Sequence, residues 1–187
     1  MGTHPDKIRI IEAVVTNSNT FWSSAAVEPK RVFRWWCTFG GSSNAIETYF
    51  LRSFQKPSFE IAVSEYIMVN DVNFHPGLLT WNPIEITITD NEASNSNSNK
   101  IFKMIKASGY KWRNATTPES SIEKKKMSSA LGGDIMFYQI DADGKTIETW
   151  KIHNPFITNI NFGAGNYTLD EILTLSMTIR YDSATLS

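Results

Sequence analysis

A single cysteine, Cys37, in 187 residues excludes an internal disulfide and leaves the fold to be held by packing, as suits a reducing compartment. Histidine is scarce as well. His4, His75 and His153 are far apart and, with Cys37, offer no paired spacing of the kind a zinc site needs. No apolar run approaches the ~18 residues that cross a bilayer. Residues 1–6 lack the charged-then-apolar pattern of a secretion signal. These absences point to a chain made and folded in a cytoplasm, with no membrane anchor. Catalytic fingerprints are also missing: there is no G-x-S-x-G, no phosphate loop and no dinucleotide motif. With no nucleophile placed beside a base, the reading is a non-enzyme that needs no metal and no cofactor.

One near-match fails on inspection. Asp141-x-Asp143-Gly144 resembles a calcium loop, but such a loop also needs a carboxylate two residues earlier and another six beyond the glycine. Those positions hold Gln139 and Trp150. A hairpin turn is the better reading.

What is present is a globular composition: 41% hydrophobic and 12% aromatic residues, enough for one domain burying roughly 70% of its unfolded surface. Net charge is −1 but unevenly spread. Residues 100–126 carry eight Lys/Arg (Lys100, Lys103, Lys106, Lys111, Arg113, Lys124, Lys125, Lys126) against Glu119 and Glu123. Such a stretch is a solvated face or a patch that meets an acidic protein surface. Aromatic residues on a sheet can stack nucleic-acid bases, but those surfaces interleave them with Lys/Arg, which here cluster elsewhere.

Alternation dominates the rest. Leu173, Leu175, Met177, Ile179 and Tyr181 share one parity, and Thr174, Ser176, Thr178 and Arg180 the other. Ile84, Ile86 and Ile88 alternate in the same way with Glu85, Thr87 and Thr89. Both segments predict strands with one apolar and one hydroxyl-rich face. Further strands are expected at 32–39, 48–54, 59–64, 135–140, 146–153 and 156–162. Turns are expected at His75-Pro76-Gly77, at 141–144 and at 163–166. Residues 1–30 read as an N-terminal arm and 31–187 as one domain. Within that domain, 91–99 is a Ser/Asn linker, 99–109 the one short helix, capped by Ser98 or Asn99 and ended by Gly109, and 111–131 a long basic loop. The sum is a mainly β fold of about seven strands: an antiparallel β-sandwich or partly closed barrel with one short flanking α-helix.

The order of several stretches resembles the tail tube proteins of contractile-tailed bacteriophages, relatives in fold of type VI secretion inner tubes. Those stretches are Phe74-His75-Pro76-Gly77 with Trp81 to Asp90, Gly132-Gly133-Asp134-Ile135, and Asp143-Gly144 with Glu148 to Ile152. Asn154-Pro155-Phe156-Ile157, Phe162-Gly163, Tyr167 with Asp170-Glu171-Ile172, and Ile179-Arg180-Tyr181-Asp182 complete the set. They span residues 74–182. The resemblance implies a virion tail component, assembled in the host cytoplasm as stacked hexameric rings inside a sheath above a baseplate. DNA would pass through the lumen without being held. Because Lys/Arg on the wall would bind phosphate, Glu85, Thr87, Thr89, Thr174, Ser176 and Thr178 are expected to face the lumen. Lys111, Arg113, Lys124, Lys125 and Lys126 are expected to face another subunit or the sheath. The alternatives are a baseplate or neck adaptor, the inner tube of an injection system and, from another class, a monomeric small-ligand barrel with an apolar pocket.

Overall fold

The computed structural model describes residues 30–41, 44–111, 121–168 and 170–187. The chain forms two compact units, Met1–Arg34 and Trp35–Ser187. Nearly all of the expected N-terminal arm lies outside the described residues, and every described strand and helix belongs to the second unit.

Among the described residues, ten strands form three antiparallel sheets. The first sheet has the order β1-β6-β7-β10, from β1 (Trp35–Thr38), β6 (Ile135–Ile140), β7 (Thr146–His153) and β10 (Ser183–Leu186). The second has the order β2-β5-β9-β8, from β2 (Leu51–Phe54), β5 (Ile84–Thr89), β9 (Thr174–Arg180) and β8 (Phe156–Asn161). The third is a two-stranded hairpin of β3 (Phe59–Met68) and β4 (Asp71–Trp81). None of these sheets closes into a barrel. The first two share one core, into which β5 sends Ile84, Ile86 and Ile88, and β9 sends Leu175, Met177 and Ile179. From the facing sheet come Cys37, Ile135, Phe137 and Ile152. Strict alternation in β5 and β9 makes this possible, because period-two side chains put every apolar residue of the two strands on one face.

Several elements differ from expectation. The first strand starts at Trp35 rather than at residue 32, and residues 48–50 form a 3-10 turn before β2. His75-Pro76-Gly77 is not a turn: it lies inside β4, and the chain reverses at Val69 and Asn70. A two-stranded ribbon has open edges, where proline's missing N–H is best tolerated. Gly77 sits where a bulge shifts the register between Ile61 and Val63, and a Cβ there would come 3.0 Å from the Ala62 carbonyl oxygen.

The Ser/Asn run is structured too. Helix α1 (Asn97–Ala107) begins two residues before the expected start, and Ser96 Oγ accepts from the Asn99 N–H at 3.3 Å. Asp90 Oδ1 accepts from the Asn91 and Ser98 N–H groups at 3.0 and 3.2 Å, while Asn97 Nδ2 donates to the Thr89 carbonyl at 2.9 Å. The low-complexity segment therefore supplies the partners that a helix N-terminus otherwise lacks. Ile101 and Met104 on this helix enter the core.

A second helix, α2 (Lys124–Ala130), occupies the end of the stretch expected to be loop. Met127 and Leu131 anchor it in the core. Gly132 and Gly133, at φ of 101° and 85°, end it in the left-handed region that glycine enters freely. The last strand, β10, lies beyond the expected set; it pairs with β7 from Ser183↔His153 to Leu186↔Trp150.

Candidate assembly surfaces

The six polar residues singled out in β5 and β9 lie side by side. The register pairs Glu85 with Thr178, Thr87 with Ser176 and Thr89 with Thr174, so all six share the face of the second sheet that points away from the core. The flanking strands extend the same chemistry. Ser53 of β2 is opposite Thr87, and Asn159 and Asn161 of β8 are opposite Thr178 and Ser176. The result is a four-stranded surface of hydroxyls and amides with one carboxylate. Cations come at its margins: Arg52 at the β2 bulge, and Arg180 at the end of β9 opposite Phe156.

The expected basic patch divides. Arg113, with the rest of 112–120, is outside the described residues; Lys111 is exposed. Lys124 donates to Asp182 Oδ1 and lies 5.5 Å from the Phe156 ring centroid, while Lys126 meets Glu123 at 2.6 Å. The Lys124 ammonium beside it holds the Asp182 carboxyl below its ordinary value. Two of the three α2 lysines are thus matched by local carboxylates, and Lys125 is exposed beside them. The helix packs along the β8 edge, where the Ile157 N–H meets Met127 Sδ at 3.1 Å, and sends Met127 to the core side of the second sheet. The hydroxyl-rich face is the other side.

The hairpin is a surface that sequence reasoning passed over. Its register, with the bulge taken into account, sets Phe59 against Trp81, Ile61 against Leu79, Val63 against Pro76, Glu65 against Phe74 and Ile67 against Val72. One face is therefore apolar along the whole ribbon, save for Glu65. The other carries Glu60, Ser64, Tyr66, Asn73, His75 and Thr80. The apolar face stands in water, with Val63 and Phe74 each 64% exposed and Ile67 74%. At its base Trp81 contacts Phe59 edge-on at 5.3 Å and lies 5.8 Å from Tyr181. Just before β3, Lys56 donates to the buried Glu148 at 2.9 Å, an acceptor shared with Trp150 Nε1 at 2.6 Å. These contacts tie the ribbon's base to both sheets and leave its length uncovered.

The opposite end of the second sheet also shows apolar side chains. Phe162, Tyr167, Ile172 and Leu173 in the β8–β9 connection are exposed. That connection joins the Asn161 and Thr174 ends of its strands, whereas the hairpin leads into β5 at Ile84, opposite Ile179.

Burial pushes the Cys37 thiol well above its ordinary pKa, which disfavours the thiolate. Among the described residues no group of three or more His, Cys, Asp or Glu could hold a metal ion.

Neither a protein-family model nor a curated protein matches the sequence. Solved structures do match. A chain of the anti-feeding prophage cap, a tube-terminating cap, superposes with a TM-score of 0.65 at 17% identity, over 92% of this chain and 97% of that one. A chain of the sheath/tube terminator of the PVC extracellular contractile injection system gives 0.64 at 18%, over 87% and 99%. A chain of the PVC sheath–tube complex gives 0.60 at 18%, over 91% and 99%. The protein is a fold relative of the tail-tube proteins. At these identities the likeness concerns the fold, and the surfaces must carry the functional argument.

Proposed function

We propose that this chain is a structural subunit of a contractile tail or injection-system tube, assembling into stacked hexameric rings around a hollow conduit. The observation that carries the reading is the uncovered apolar face of the β3–β4 hairpin. A solitary soluble molecule gains nothing from holding such a ribbon in water; a subunit whose neighbour covers it does. The hairpin and the exposed apolar loop lie at opposite ends of one sheet, as a head-to-tail contact that propagates requires.

Apolar surface at both ends favours a repeated subunit over a terminal cap, which would need only one stacking end. The second sheet ends in β2 and β8; Met127 of α2 already meets the Ile157 N–H of β8, so edge-to-edge pairing between neighbours in closing a ring would use β2 and the rest of β8. Its hydroxyl and amide face, with Glu85, Thr87, Thr89, Thr174, Ser176 and Thr178 at the centre, would then line the lumen and let a polyanion slide without capture. The α2 lysines, on the far side of that sheet, would face a sheath or a neighbouring subunit. A small-ligand barrel would need a closed wall around a chamber, whereas here the sheets are open and Ile86, Ile88, Phe137 and Met177 fill the space between them.

Negative-stain microscopy and sedimentation of the purified chain test the proposal. Rings or hollow filaments support it, and monomers at every concentration refute it.

A further inference from the structure

Glu65 is the exception on the hairpin's apolar face. Its cross-strand neighbour is Phe74, with Val63 and Ile67 flanking it on β3 and Val72 and Pro76 diagonal to it on β4. The hairpin's other charged or titratable side chains (Glu60, Tyr66, Asp71 and His75) belong to its opposite face. The carboxylate costs nothing while the face is wet. Once a partner covers the face it loses water, and an unpaired buried charge would oppose the contact.

The chain suggests where the counter-charge comes from. Residues 57–99 contain no Lys or Arg, whereas 100–126 hold eight. No Lys or Arg lies on the hairpin, whereas a second copy offers the lysines of α1, a helix that starts at the Thr89 end of the sheet, away from its own hairpin. We propose, resting on the tube reading above, that Glu65 pairs with a lysine or arginine of the adjoining copy and so fixes the register in which one ring seats on the next. An apolar face alone tolerates sliding; a single desolvated ion pair within it does not.

The test uses the full chain and Glu65→Leu, Glu65→Gln and Glu65→Lys, read by sedimentation, microscopy and thermal melts. All three should melt like the parent, since the side chain is exposed in the subunit. Glu65→Leu and Glu65→Gln should raise the critical concentration for stacking at least about tenfold, by leaving the partner's cation unpaired. Glu65→Lys should abolish filaments while leaving single rings. Glu65→Leu filaments that form as readily as the parent's, or more so, would overturn the pairing, because removing an unpaired carboxylate can only help. In filaments of the parent, a cryo-EM map should place the Glu65 carboxylate within about 4 Å of a Lys or Arg nitrogen of the next copy; a carboxylate left in water would also overturn it. A parent chain that stays monomeric sinks the tube reading itself, and the pairing with it.

Discussion

Replacing Val63 and Phe74 together by threonine separates folding from assembly. Both side chains are 64% exposed and adjacent on the hairpin's apolar face, so in the isolated subunit they support nothing. Threonine keeps the strand preference of the position. The subunit's stability should change by no more than about 0.5 kcal/mol, as for ordinary surface substitutions. Assembly should respond differently. Full burial of a Val or Phe side chain contributes roughly 1.5–3 kcal/mol, and about two-thirds of each surface remains to be covered. Allowing for what threonine retains, the loss is about 2 kcal/mol per stacked contact, or roughly a 30-fold rise in critical concentration. Chemical denaturation measures the first quantity and sedimentation of filaments the second. A subunit destabilised by well over 1 kcal/mol would mean that the hairpin packs on its own body in solution. Unchanged assembly would mean that this face is not the joint. Either result refutes the reasoning.

The same geometry sets three further outcomes. Asp90→Ala removes acceptors from the start of α1 and should cost about 1–2 kcal/mol at neutral pH by denaturant titration. Burial alone would raise the Asp90 carboxyl, but hydrogen bonds from Ser98, Asn91 and Asn97 outweigh it and hold the pKa below its ordinary value. Its contribution is therefore complete above the unfolded value of about 3.9 and lost as pH falls through the lower folded value, so the variant should show a shallower acid limb. Ile86→Ala opens a cavity at a side chain with 0% exposure and should cost about 2–5 kcal/mol in the same assay. Thr87→Lys with Ser176→Lys should leave the subunit folded but make assembled filaments retain short DNA oligonucleotides in a steeply salt-dependent way; retention no greater than the parent's would place that face away from the channel.

The sandwich was legible because β5 and β9 alternate without a break, and in a one-sided sheet period two admits one answer for which face is buried. Their pairing brought together the six polar residues that alternation had marked only strand by strand. Helix α2 was hidden because seven residues beginning Lys-Lys-Lys carry too few apolar positions to show a period. Its helicity comes from Met127 and Leu131 meeting the core, a tertiary cause that leaves little trace in the sequence. The Ser/Asn run misled in the opposite sense, since Ser and Asn serve disordered linkers and helix caps alike, and only Asp90 in front of them distinguishes the two.

The hairpin shows most sharply where reading by parity fails. Val72, Phe74 and Pro76 are even-numbered positions, and Leu79 and Trp81 odd, so along β4 the apolar pattern breaks at Gly77 and suggests a turn. The bulge opposite Ala62 restores them to one face. The irregularity that hides this surface in the sequence is the same one that makes it continuous in the fold. A hairpin with a neutral or mixed face would have little to offer a neighbour. An amphipathic ribbon built by a bulge and held at its base by Trp81 and Lys56 keeps its apolar face in water in the isolated subunit, and under the tube reading proposed above it is that face a second molecule would cover.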